Sequence, residues 1–132
     1  MAKVNLSGLP RPARPAQTRT FTDPEQPGVE VTLTLRKIDP AEMASAMDAK
    51  EVLHSKFAET GFPLLNGEVV PLAEGLCQSL CMLELMQCGP EADRYTAEEL
   101  IPLVVNLPTA GMEVLRWAGE LAQSTAEKPA KN

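Results

Sequence analysis

Val29-Glu30-Val31-Thr32-Leu33-Thr34-Leu35-Arg36-Lys37-Ile38-Asp39-Pro40-Ala41-Glu42-Met43 contains the switch that decides the fold. Over its first eight residues Val29, Val31, Leu33 and Leu35 alternate with Glu30, Thr32, Thr34 and Arg36. A period of two places the apolar set on one face of a half-buried strand. At Asp39 the pattern changes. Asp39 suits a helix N-cap, Pro40 suits the first turn, and Glu42 stands three residues after the cap, as a capping box requires. Ile38 and Met43 flank the cap at the spacing of a hydrophobic staple. Met43, Met47, Lys50 (through its aliphatic stem), Leu53 and Phe57 continue at helical spacing until Gly61, which predicts a helix over residues 40–60.

Before this stretch, residues 19–22 are placed to pair with the strand across a loop containing Asp23-Pro24 and Pro27-Gly28. A lone hairpin is marginal in water, so it must pack on helices or on another chain. After the first helix, Leu64-Leu65-Asn66-Gly67-Glu68-Val69-Val70 reads as a second hairpin, with Asn66-Gly67 as a type I′ turn and strands shortened by Pro63 and Pro71. A second helix is predicted from about residue 71 to residue 88, before Gly89-Pro90. Leu72, Leu76, Cys77, Leu80, Cys81, Leu83, Leu85 and Met86 nearly surround it, so it must be central or buried against another subunit. Three short neighbours are too few to cover it, which predicts self-association or a constitutive partner. Thr96 and Glu99 form a capping box for a third helix, in which Pro102 predicts a kink or a late start. A last helix should run from Pro108 to about Gln123, with Met112, Leu115, Ala118, Leu121 and Ala122 on its apolar side. The fold class that follows is α+β, mainly α: three to four helices, a short N-terminal β-hairpin and an extended N-terminal arm.

Charge divides the 132-residue chain. Lys3, Arg11, Arg14 and Arg19 stand in the first twenty residues without a single Asp or Glu, whereas residues 21–123 hold six cationic and seventeen acidic side chains. Three prolines also fall in the first twenty residues, so this segment reads as an extended basic arm that orders on a partner surface. The expected organisation is an arm at 1–20, one mainly helical domain at 21–123 and a polar tail at 124–132. Arg11, Arg14 and Arg19 are the candidate partner-binding residues of the arm, aimed at acidic faces of neighbouring subunits. On that reading, removing residues 2–18 leaves the fold intact. Trp117, next to Arg116 and off the main apolar stripe of the last helix, has two readings: interface anchor or lid of the domain's own core.

A net charge of −6 argues against nucleic acid as the main partner. No apolar run approaches a membrane span, the N-terminus does not read as a secretory signal, and three cysteines without one favour a reducing compartment. Cys77, Cys81 and Cys88 are the candidate metal ligands: on one continuous helix they fall within roughly 40° of one another. Two cysteines four apart inside a helix and flanked by Leu76, Leu80 and Met82 fit core filler better than a metal site, where a turn must wrap the ion. His54 is the sole histidine, the carboxylates are dispersed and the glycines form no phosphate loop, so neither catalytic residues nor a cofactor are expected.

The order of elements resembles small tail-assembly proteins of tailed bacteriophages. The features that carry the likeness are the aromatic-bearing Thr20-Phe21-Thr22, the second strand from Val29 ending in Arg36-Lys37, and the acidic helical body over residues 39–123. The resemblance implies a non-enzymatic tail-assembly chaperone that binds an aggregation-prone tail protein, in the host cytoplasm or the virion. The long proline-rich arm departs from that pattern. It suggests the alternative of a small structural adaptor whose arm laces neighbouring subunits. A thiol-based metal or redox protein is the third reading.

Overall fold

The computed structural model describes residues 3–10 and 13–123. The chain is α+β and mainly helical, with two small antiparallel sheets and, among the described residues, four α-helices. Strand β1 (Gln17–Thr22) pairs with β2 (Glu30–Leu35) in a register that sets Gln17 opposite Leu35 and Thr22 opposite Glu30. The alternation holds from Val31 onward: Leu33 and Leu35 are buried together with Phe21 of β1, and Val31 is half-buried, whereas Val29 lies before β2 and is exposed. The outer face carries threonine pairs, with the hydroxyls of Thr18 and Thr34, and of Thr20 and Thr32, each 2.8 Å apart. Since β1 begins at Gln17, the boundary expected at residue 20 falls inside a strand, and the end of the arm belongs to the domain.

Helix α1 (Pro40–Lys56) starts at the predicted cap. The Glu42 amide donates to Asp39 Oδ1 at 2.7 Å, and the Asp39 amide donates back to Glu42 Oε1 at 3.1 Å. It stops four residues short of the expected end. A turn follows in which Gly61, at φ +75°, donates its amide to the Phe57 carbonyl. Strands β3 (Phe62–Pro63) and β4 (Val69–Val70) then form the second hairpin. Its turn is not type I′, because Asn66 does not take positive φ and only Gly67 does, at +95°. The Gly67 amide bonds to Leu64 O and the Leu64 amide to Glu68 O, so the loop has three residues and a left-handed glycine at its end. The Asn66 side chain stabilises this form by accepting the Glu68 amide at 2.9 Å.

Helix α2 (Glu74–Met86) is shorter at both ends than the predicted 71–88. Beyond Met86 the chain turns extended and joins the sheet. The Arg36 amide bonds to Met86 O at 3.0 Å, the Cys88 amide to Thr34 O at 2.9 Å, and Gln87 lies opposite Leu35. An open edge of β2 offers hydrogen bonds that a further helical turn would leave unmade, so the sheet takes this segment. Within α2, Cys77, Leu80, Cys81, Leu83 and Met86 are buried, and no large apolar side chain of the helix is exposed. Helices α1, α3 (Ala97–Asn106) and α4 (Pro108–Gln123) all pack against it. The chain's own elements therefore cover α2, contrary to the expectation that three neighbours would not suffice.

Helix α3 begins at its Thr96–Glu99 capping box and runs on time through Pro102. Helix α4 buries Ala110, Gly111, Val114, Trp117, Ala118 and Leu121, whereas Met112, expected inside, is 57% exposed. The reason lies at Gly111. A Cβ there would sit 2.8 Å from Val104 Cα and 3.0 Å from Leu103 O, so only glycine permits this approach of α4 to α3. That contact rotates the buried face away from Met112.

Asp23 closes the structure. It is 1% exposed; its Oδ2 accepts the Ala110 amide in the first turn of α4 and its Oδ1 accepts the Glu25 amide, both at 2.8 Å. It thus caps a helix that starts 85 positions further along the chain, satisfying donors that helix starts leave open. The Ala110 hydrogen bond holds the Asp23 carboxyl below the usual carboxylate range; burial opposes this, and the Glu25 and Thr109 amides reinforce it. A folded-state pKa depressed in this way contributes stability that is complete above the unfolded value and is lost as pH falls through the folded one. Asp23→Asn is expected to lower stability at neutral pH, with the difference from wild type shrinking as the solution is made strongly acidic. Urea denaturation across that range checks it, and a pH-independent difference would contradict the role given to the charge.

Candidate interaction site

The four predicted partner-binding residues meet different fates. Arg11 lies outside the described residues. Arg14 is held by its own chain: Nη1 donates to Glu42 Oε1 at 2.7 Å and to Lys37 O at 3.1 Å, and lies 3.5 Å from Asp39 Oδ2. Arg36 Nη2 reaches the second oxygen of Glu42 at 3.3 Å. Burial raises the Glu42 carboxyl, but the Asp39 amide and the two guanidiniums together bring it below its ordinary value. The acidic face that captures the arm is thus the cap of α1. Tethering explains the preference, since an intramolecular partner acts at a high effective concentration.

Arg19 and Trp117 are likewise engaged within the chain. The Arg19 guanidinium lies 5.1 Å from the Phe21 ring centre and 5.2 Å from that of Trp117. The two rings are 5.6 Å apart, and Trp117 Nε1 donates to Gln17 Oε1 at 3.4 Å. At 4% exposure, Trp117 seals β1 onto α4, which corrects its reading as an interface anchor. Aromatic residues are scarce in this chain, and the single tryptophan packs between hairpin and helix.

Two features that sequence reasoning missed remain open to a partner. On the arm, Val4, Leu6 and Leu9 are 68%, 73% and 57% exposed, around a single 3₁₀ turn at Leu6–Gly8. On the body, a groove of about 250 Å³ runs between the loop before β2 and helix α3. Val29, Val31, Tyr95, Pro102, Leu103 and Leu107 line it, with Glu99 as its one charged side chain. The Gln26 side chain braces this end by donating to Asn106 O at 3.1 Å. The arm's apolar residues were legible as an oddity, since a proline-rich solvated tail has no need of three such side chains. The groove was not, because its two walls are about seventy residues apart in sequence.

The thiols are not gathered into a site. Cys88 lies past the end of α2, so the shared helix face assumed for all three cysteines does not exist. Cys77 and Cys81 are buried among the core residues. Burial pushes both thiols up, Cys81 to about 11, away from the thiolate that ligation or nucleophilic attack requires. No group of three His, Cys, Asp or Glu residues suited to a metal ion occurs among the described residues. Nor is any helix among them long and apolar enough to cross a membrane. Compared with known protein families, curated proteins and solved structures, the chain matches none.

Two experiments follow from this geometry. Deleting residues 2–18 removes the Arg14 anchor and the first two rungs of β1, so the truncated protein should melt at a lower temperature; deleting residues 2–10, which takes neither, should lower it less. Equal melting of all three proteins in calorimetry would refute the anchor. In native protein at mildly alkaline pH, Cys88 should react with a thiol reagent, while Cys77 and Cys81 react only as fast as the fold opens. Cys77→Ala and Cys81→Ala should each cost about 1–2 kcal/mol in denaturant unfolding.

Proposed function

We propose that this chain is a non-enzymatic assembly protein, which works by holding other protein subunits through its N-terminal arm. The observation that carries this reading is an arm anchored at Arg14 and presenting Val4, Leu6 and Leu9 to solvent beyond the anchor. Exposed apolar side chains on a segment of residues 3–10 without a core of its own are a poor arrangement for an isolated domain and a useful one for a docking peptide. The chemistry of the thiols supports the same side of the argument, since burial suppresses the two on α2.

Two roles fit. The likeness to tail-assembly proteins of tailed bacteriophages favours a chaperone that shields an aggregation-prone tail protein in the host cytoplasm. The fixed base and free apolar end of the arm favour a structural adaptor in a particle, in which the arm joins neighbouring subunits. Co-expression with the products of the adjacent genes separates them. A chaperone should keep one such product soluble and be absent from the finished particle, whereas an adaptor should be present in it in fixed ratio. Removal of residues 2–10 should abolish the complex in either case. If the full chain forms no specific complex, with itself or with any of these products, the assembly reading fails.

A further inference from the structure

The groove and the arm complement one another. The groove is apolar, is rimmed by Val29 and Tyr95 at 40% exposure each, and carries one carboxylate, Glu99, and no cation. The arm offers Val4, Leu6 and Leu9 together with Lys3, and no acidic residue occurs in the first twenty. Each is what the other lacks: apolar surface to cover, and a charge of opposite sign.

The geometry points to this groove as the seat of residues 3–9 from a second copy of the chain. This rests on the assembly reading above and names its partner. The occupant is another copy rather than the chain's own arm, whose Val4, Leu6 and Leu9 stand exposed and are not among the residues that line the groove. Arg14 is fixed beside the cap of α1, at the end of the hairpin where Gln17 pairs with Leu35. The groove is at the opposite end, by Gln26 and Val29. Strand β1 alone spans about 17 Å. The base of the arm is thus held at the end of the hairpin away from the chain's own groove, and its three apolar residues are offered to a neighbour. Each copy carries one arm and one groove, so the contact builds either a reciprocal dimer or an open chain.

Leu6→Glu on the arm and Val29→Glu on the groove rim test this in the full-length protein. Both sites are exposed, and Leu6 lies outside the body, so its substitution leaves the fold of each copy intact. In sedimentation experiments each variant alone should self-associate at least about tenfold more weakly than wild type, the effect of losing one buried apolar side chain. An equimolar mixture should regain part of the association, through the one intact contact of each mixed pair, the arm of the Val29→Glu chain in the groove of the Leu6→Glu chain. Tyr95, the sole tyrosine, reports on the groove directly. Its ring signals in nuclear magnetic resonance should move with protein concentration in wild type and stay still in Leu6→Glu. Several results overturn the inference. If both variants assemble as well as wild type, the arm–groove contact is wrong while the assembly reading stands. If the Tyr95 signals depend on Leu6 but not on concentration, the chain's own arm occupies the groove. If wild type binds a product of an adjacent gene but never itself, the occupant is another protein. If it binds neither, both readings fall.

Discussion

Asp23 ties the two halves of this protein together through a single carboxylate. Its two oxygens accept the Glu25 amide in the hairpin loop and the Ala110 amide at the start of α4. A helix start left open in a buried position would leave amides without partners, a cost that the chain must remove by some acceptor. Here the acceptor comes from the loop between β1 and β2, so the cap also fixes where the hairpin lies. With the loop held at α4, Phe21 meets Trp117 and Arg19 covers both rings. The same placement brings Gln26 to Asn106 and sets Val29 and Val31 opposite α3. The groove is therefore a by-product of the cap: its walls are the loop that Asp23 anchors and the helix that precedes the one it caps.

The opposed charges of arm and body act first within the chain. Arg14 and Arg36 converge on Glu42, which is already engaged as the reciprocal partner of the Asp39 cap. The arrangement is partly exposed, so its strength is modest and it softens with salt. Its consequence is positional. It fixes the base of the arm at one end of the hairpin and leaves the described residues before it, 3–10, on the surface with their apolar side chains exposed. A basic arm on an acidic body is thus divided into a part that closes the domain and a part free to reach beyond it.

The elements were legible where the signal is local. The alternation from Val31 to Leu35, the Asp39 and Thr96 caps and the Pro108 start each depend on residues within a few positions of one another, and the structure keeps them all. Local signals failed where two segments compete for the same backbone. Cys88 continues the apolar pattern of α2, yet the open edge of β2 draws its amide to Thr34 instead. Asn66-Gly67 is a strong type I′ pair, yet the Asn66 side chain and the short strands favour a three-residue loop. Met112 matched the apolar period of α4, and the close approach at Gly111 turned it outward.

By itself the sequence determined the fold class, the order of elements, the need to bury α2 on nearly all sides and the separation of a basic arm from an acidic body. Those depend on periodicity, capping chemistry and composition, which act over one or two turns of chain. Only the tertiary structure decided that Trp117 seals the hairpin, that Arg14 belongs to the α1 cap, that Asp23 is a helix cap rather than a loop residue, and that a groove opens beside Tyr95. Each of these joins side chains from segments distant in sequence. Which of many possible partners a buried carboxylate or a ring meets is set by packing of the whole core, and no local pattern encodes it.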